Sequence, residues 1–83
     1  MNQNEINELK NKIMESLDPL MLDESLSAEN KFEYYFTIAE VTKQRDALEK
    51  ALQYANAIED KTVKANSLFN LLDLLTELQP EEP

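Results

Sequence analysis

Apolar residues recur along most of this chain in steps of three and four, the spacing of helices that turn one face inward. Ile6, Leu9, Ile13 and Leu17 follow steps of three, four and four, with Glu5, Glu8, Lys12 and Glu15 on the wet side. This predicts a first helix from about Asn4 to Leu17, whose narrow stripe Met14 widens only slightly. Asp18-Pro19 reads as an Asp N-cap before a proline at the first helical position. With Leu17 and Leu22 spaced for a hydrophobic staple, it predicts a short helix over 19–26. Ser27 is placed to cap a third helix over 28–43, with Glu29 in its first turn favouring the positive end of the dipole. Asp46 and Glu49 form an acidic variant of the capping box, opening a helix over 47–59. Asp60 is the cap candidate for a final helix over 62–79, which Pro80 stops, leaving 80–83 as a frayed tail. No glycine or proline marks the break near Arg45, so one continuous helix over 28–59 is the other reading there. A turn at that point folds Leu48, Ala51, Leu52, Ala55 and Ile58 back upon Phe32, Tyr35, Phe36 and Ala39. The alanines at 51 and 55 then let the two axes approach closely.

Two of these helices carry more apolar surface than one buried stripe requires. In the third, Phe32, Tyr35, Phe36 and Ala39 make one face, and Tyr34, Ile38 and Val41 make a second. In the last, Leu68, Leu71, Leu72, Leu75 and Leu78 make one face, which Phe69 and Leu74 extend beyond the ~100° stripe of a surface helix. Such helices are either central in a bundle or half of an interface. The candidate partner-binding residues are therefore Tyr34, Ile38, Val41, Phe69, Leu74 and Leu78. Either the N-terminal segment wraps the last helix or that helix completes its core against another chain.

The third and last helices are also related to each other. Lys31 recurs as Lys64 and Phe36 as Phe69 at an offset of 33 residues, while Ile38, Glu40 and Val41 return as Leu71, Asp73 and Leu74. Leu72 stands where the first copy has the small Ala39. A period in the low thirties is that of stacked helical hairpins. The stretch from Glu33 to Leu75 resembles tetratricopeptide-type repeats: Tyr35, Ile38 and Ala39 sit like the marker positions of a first helix, and Ala51 and Ala55 like the small pair of a second. The resemblance implies a TPR-like helical hairpin plus a following helix, and a protein that binds another protein or itself. It also draws attention to Lys31, Lys64, Asn30 and Asn66 as polar first-helix positions of the kind that hold a peptide carboxylate.

Composition narrows the chemistry. No glycine occurs, and proline stands only at 19, 80 and 83, so the sixty residues between Pro19 and Pro80 contain neither strong helix breaker. The expected fold class is all-α, a small bundle of four to five helices forming a single domain over 1–83. A chain this short buries only about 60–65% of its unfolded surface, so its core must be efficient. Without cysteine there are no disulfides and no thiolate metal sites, and without histidine the usual acid/base group is missing. The acidic pairs Asp23-Glu24, Glu59-Asp60 and Glu81-Glu82 belong to no EF-hand loop or Glu-x-x-His pair. No catalytic residue, metal ligand or cofactor is expected, and the chain reads as a non-enzyme. Met1 to Lys10 does not have the pattern of a signal peptide, and no apolar run approaches the ~20 residues of a membrane span. A cytoplasmic protein is expected.

The net charge of −9 is unevenly distributed. Residues 1–30 hold seven acids and two bases, 31–64 six of each, and 65–83 four acids and no base. If the first and last helices are neighbours, an acidic face results, unsuited to nucleic acid or anionic membranes and open to a basic partner surface. The leading expectation is an interaction module or adaptor that binds another protein, or a second copy, through the apolar faces of its third and last helices. The alternatives are an acidic inhibitor that mimics nucleic acid on a basic site, and a structural homo-oligomer in which the N-terminal stripe forms a short coiled coil.

Overall fold

A computed structural model describes residues 1–78, which form four α-helices and one 3-10 turn with no strand among them. The chain is all-α. Helix α1 spans Gln3–Leu17, the 3-10 turn Asp18–Leu22, α2 Ala28–Thr42, α3 Arg45–Ala57 and α4 Lys61–Leu78. The expected stop at Pro80 and the tail 80–83 lie outside the described residues.

Short polar side chains set most of the helix starts. The Asn2 side chain accepts from the Glu5 N–H at 2.9 Å, so α1 begins earlier than its apolar stripe suggests. The Ser27 hydroxyl accepts from the Asn30 N–H at 3.1 Å, and Asp60 accepts from the N–H groups of Thr62 and Val63 at 2.9 and 3.0 Å. Two expected caps do not form. Asp18 is itself helical, with φ −53° and ψ −50°, because α1 runs into the 3-10 turn without the extended residue that an N-cap requires. Its carboxylate is used on Tyr34 instead. The second helix is correspondingly a five-residue 3-10 turn rather than a helix over 19–26, and Leu22 is 86% exposed, so no staple closes on Leu17. Asp46 does not cap α3 either. The helix starts two residues earlier than expected, at Arg45, and Glu49 pairs with the Arg45 guanidinium at 2.8 Å on an exposed surface.

The helix does break near Arg45. Lys43 ends α2 in the left-handed region, at φ 58° and ψ 25°, and its N–H donates to the Ala39 carbonyl at 2.8 Å. Gln44 then returns to extended backbone. A lysine in this conformation costs about 1 kcal/mol that glycine would avoid. Lys43→Gly is therefore expected to raise the melting temperature by about 4–8 °C for each kcal/mol recovered, as read by thermal circular dichroism. An unchanged or lower value would contradict the left-handed cap.

The two-residue link sends α3 back along α2, and this hairpin is the best packed part of the chain. Ala39, Ala51 and Ala55 are fully buried, so the two backbones meet closely at their contact. Phe32, Ile58 and Leu71 complete one core cluster with Ala51 and Ala55, and Leu74 joins Ala39 and Ala47 in a second. Leu52, expected inside, sits at the edge of the α3 stripe and is 47% exposed. On the flank of the hairpin Tyr35 stacks on Tyr54, with ring centroids 5.6 Å apart. The Lys31 ammonium lies 5.6 Å from the Tyr54 centroid and that of Lys50 5.5 Å from Tyr35. Each such contact adds about 0.5–1 kcal/mol at an exposed site. Helix α4 covers the hairpin, chiefly along α3.

Helix α1 does not join this core. It packs against the 3-10 turn, contributes no buried residue and has no substantial packing with α4. The radius of gyration is accordingly 14.1 Å, against about 12 Å for a compact chain of this length. The expected acidic face between neighbouring first and last helices therefore does not form, nor does α1 wrap the last helix.

Candidate functional site

Two apolar surfaces remain uncovered, and the hairpin explains both. The first is the outer face of α4. Its inner side carries Ser67, Leu71 and Leu74, all buried against α2 and α3. One-third of a turn away, Phe69, Leu72 and Leu75 are 63%, 58% and 49% exposed. At 100° per residue these three lie on one side of the helix, with half-buried Leu68 at its border.

The internal repeat gives this face its meaning. Helices α2 and α4 begin at Ala28 and Lys61, the same 33-residue offset that relates their sequences. Ala39 is fully buried because α3 lies upon it, whereas its counterpart Leu72 stands in solvent. Phe36 packs against both core clusters, whereas its counterpart Phe69 is exposed. The described part of the chain supplies a covering helix for the first copy and none for the second.

The second surface is a groove between α1 and α2, closed at one end by the 3-10 turn. It encloses about 550 Å³. Ile13, Met14 and Leu17 line one wall, Tyr34 and Val41 the other, and Met21 lies at the closed end. Ile13 and Val41, on opposite walls, are 58% and 63% exposed. Tyr34 anchors this corner, its ring buried and its hydroxyl donating to Asp18 at 3.0 Å. Burial first, and then the bond to the Asp18 carboxylate, push the Tyr34 phenol up to about 12, so it remains a neutral donor throughout the physiological range. Burial likewise raises the neighbouring Tyr35, with the Tyr54 phenol adding a smaller effect.

The six candidate residues consequently separate into three groups. Phe69 is exposed on α4. Val41 and Tyr34 face the groove, Val41 at its rim and Tyr34 in its wall. Leu74 is 4% exposed and belongs to the core, with Ile38 and Leu78 packed half-buried beside it. Tyr34, Ile38 and Val41 therefore do not form one face: Ile38 turns toward α3 and α4 and the other two toward α1. Three groove residues, Leu20, Met21 and Leu26, were not visible as site residues, since they lie in the turn and the loop after it, where no helical period relates them to α2.

The polar candidates do not converge. Asn30 lines the α1–α2 groove, Asn66 lines a separate cavity of about 400 Å³ between α2 and α4, and Lys31 is turned to Tyr54. Of the acidic pairs, Asp60 caps α4, and Asp23 accepts from the Ser25 N–H and hydroxyl at 2.9 and 2.7 Å, bonds that lower its carboxyl below the usual range. Glu81-Glu82 lies outside the described residues. Among the described residues no group of three or more acidic side chains is placed to hold a metal ion. No described helix is long and apolar enough to cross a membrane.

No protein-family model matches this chain, and no curated protein or solved structure matches it either. The functional reading therefore stands on the two surfaces themselves.

Proposed function

We propose that this protein is a non-enzymatic interaction module, cytoplasmic in location, that binds another protein through the exposed face of α4. The observation that carries the reading is the contrast between the two copies of the repeat. α3 covers the α2 face at Phe36 and Ala39, while Phe69, Leu72 and Leu75 present the equivalent α4 face without a cover. The occupant is a helix laid along α4 as α3 lies along α2, supplied by a partner protein. Leu72 in place of Ala39 makes that approach less close, so the partner helix meets α4 with large side chains rather than with alanines. The α2–α3–α4 arrangement supports the tetratricopeptide-type reading, in which a hairpin is followed by the first helix of a second unit.

Affinity capture with the wild-type chain and with Leu72→Glu, washed in parallel at low and high salt, tests the reading. A partner retained in high salt by the wild type and lost by the variant is expected. Removing a central anchor should weaken binding by about thirtyfold, equivalent to roughly 2 kcal/mol. Retention by Leu72→Glu would remove α4 from the interface. A partner released by moderate salt would favour the acidic mimic of nucleic acid. Concentration-dependent dimerisation abolished by Leu72→Glu would make a second copy the occupant.

A further inference from the structure

The cavity between α2 and α4 differs from both apolar surfaces: its polar groups converge, and its charge has one sign. We infer that it binds an alkylammonium group, with the charged head on the acids of α2 and the stem on its phenylalanines. This goes beyond the α4 interface and uses another side of that helix.

Two facing helices build the site. Glu29 and Glu33 stand one turn apart on α2, and Asn66 and Asn70 one turn apart on α4, all four with exposed side chains. Phe32, Phe36 and Val63 give the cavity its apolar lining, with the Phe32 and Phe36 rings stacked 5.4 Å apart. The volume, about 400 Å³, is that of a small-ligand site.

Charge selects the sign of the ligand. The lining holds two carboxylates and no base. Neither carboxylate is paired with a base among the described residues, where the ion pair is Arg45 with Glu49 on α3. Lys31, between the two acids in sequence, is turned to Tyr54. A cation is favoured and an anion repelled.

Ser67 points to a ligand independently of the acids. It lines the cavity and is only 6% exposed. Other helical hydroxyls satisfy themselves locally: those of Ser16, Thr37, Thr42 and Thr76 each donate to the carbonyl four residues back. The Ser67 hydroxyl makes no hydrogen bond to any described residue. Among those residues no wholly enclosed side-chain oxygen lacks a partner, so this hydroxyl opens into the cavity that it lines. A hydroxyl left unpaired in a largely buried residue is unfavourable, and an ammonium N–H supplies its partner. The three donors of an ammonium match an acceptor set of carboxylates, carboxamide oxygens and one hydroxyl. A hard metal ion fits less well. It needs about six oxygen ligands and gains nothing from phenylalanine, and no described group of three or more acids is placed to hold one.

The test follows proton–nitrogen correlation NMR spectra of the full chain during titration with n-pentylammonium at fixed ionic strength. Saturable shifts are expected at the Ser67 backbone amide and the Asn66 and Asn70 side-chain amides. Tetramethylammonium, a cation without N–H donors, and n-pentanol, a neutral molecule with the same stem, should each bind at least about fivefold more weakly. Ser67→Ala should weaken pentylammonium by about threefold or more while keeping the fold, since alanine is the better helix former. Glu29→Gln combined with Glu33→Gln should weaken it by about fivefold. Glu8→Gln combined with Glu15→Gln on α1 makes the same change in net charge and should leave it unaltered. Equal loss in the two double variants would reduce binding to bulk attraction by an acidic chain and overturn the site. Equal binding of the three probes would overturn it too, as would shifts confined to the α1–α2 groove, which Glu33 also lines. A blocked glycine-lysine-glycine peptide separates the two sources of the group. Tighter binding than pentylammonium assigns the site to a lysine side chain of another protein, and weaker binding to a free amine; either supports the cation site. Leu72→Glu is expected to leave pentylammonium binding unchanged, so this site and the α4 interface stand or fall separately.

Discussion

Phe32→Ala is expected to lower the free energy of unfolding by about 3–5 kcal/mol, the range for truncating a buried aromatic residue. Phe32 is 4% exposed and packs with Ala51, Ala55, Ile58 and Leu71, so it touches every helix of the hairpin-plus-α4 unit. Its ring also lies 5.4 Å from that of Phe36. Two of its neighbours are alanines already at the closest approach of α2 and α3. They have no side chain to swing into the space, so the cavity stays open and the cost lies at the upper end. A chain of 83 residues has roughly 4–12 kcal/mol of stability in total, so the variant should lose a third of it or more. Urea unfolding followed by circular dichroism, with an unchanged slope, measures the difference. A loss below about 1 kcal/mol would mean that the α2–α3 contact is not centred on Phe32.

Leu74→Ala is expected to cost about 2–5 kcal/mol of stability, whereas Phe69→Ala should stay within about 0.5 kcal/mol of the parent. The two residues are five apart on one helix and equally apolar in sequence, yet Leu74 is 4% and Phe69 63% exposed. Leu74 is the one large side chain among the buried members of its cluster, held between Ala39 and Ala47 with Phe36, Ile38, Leu48 and Leu78 around it. Its removal empties the junction of α2, α3 and α4. Phe69, at 63% exposed, has far less packing to lose. Paired urea titrations decide the matter. Equal destabilisation by both variants would show that α4 buries its outer face as well, contrary to the interface assigned to it.

These two residues also mark where the sequence was legible and where it was not. Helical periodicity located every α-helix to within two residues at each described end, because the 3.6-residue pattern is a local property that tertiary contacts scarcely alter. The breaks were harder. The α2–α3 turn rests on a lysine in a left-handed conformation, and nothing local distinguishes Lys43 from a lysine in a helix. Asp18-Pro19 carried a strong local signal for a new α-helix, but α1 runs through Asp18 into a 3-10 turn without an extended residue, and the carboxylate accepts from the Tyr34 hydroxyl sixteen residues away. The candidate site divided in the same way. Phe69 and Val41 were recognised as surplus apolar residues and are exposed, while Leu74, chosen by the same reasoning, is core.

The amino-acid pattern by itself determined the all-α class, the approximate helix boundaries, the alanine contact between α2 and α3, and the repeat that relates α2 to α4. All of these follow from spacing along the chain and from side-chain size. Only the tertiary structure decided which of two apolar faces on each helix is buried. That choice depends on where the next helix lies, and a stripe reads the same whether or not a neighbour covers it. Because α1 ends on the 3-10 turn instead of crossing to α4, the Ile13 side of α1 and the Phe69 side of α4 both remain open.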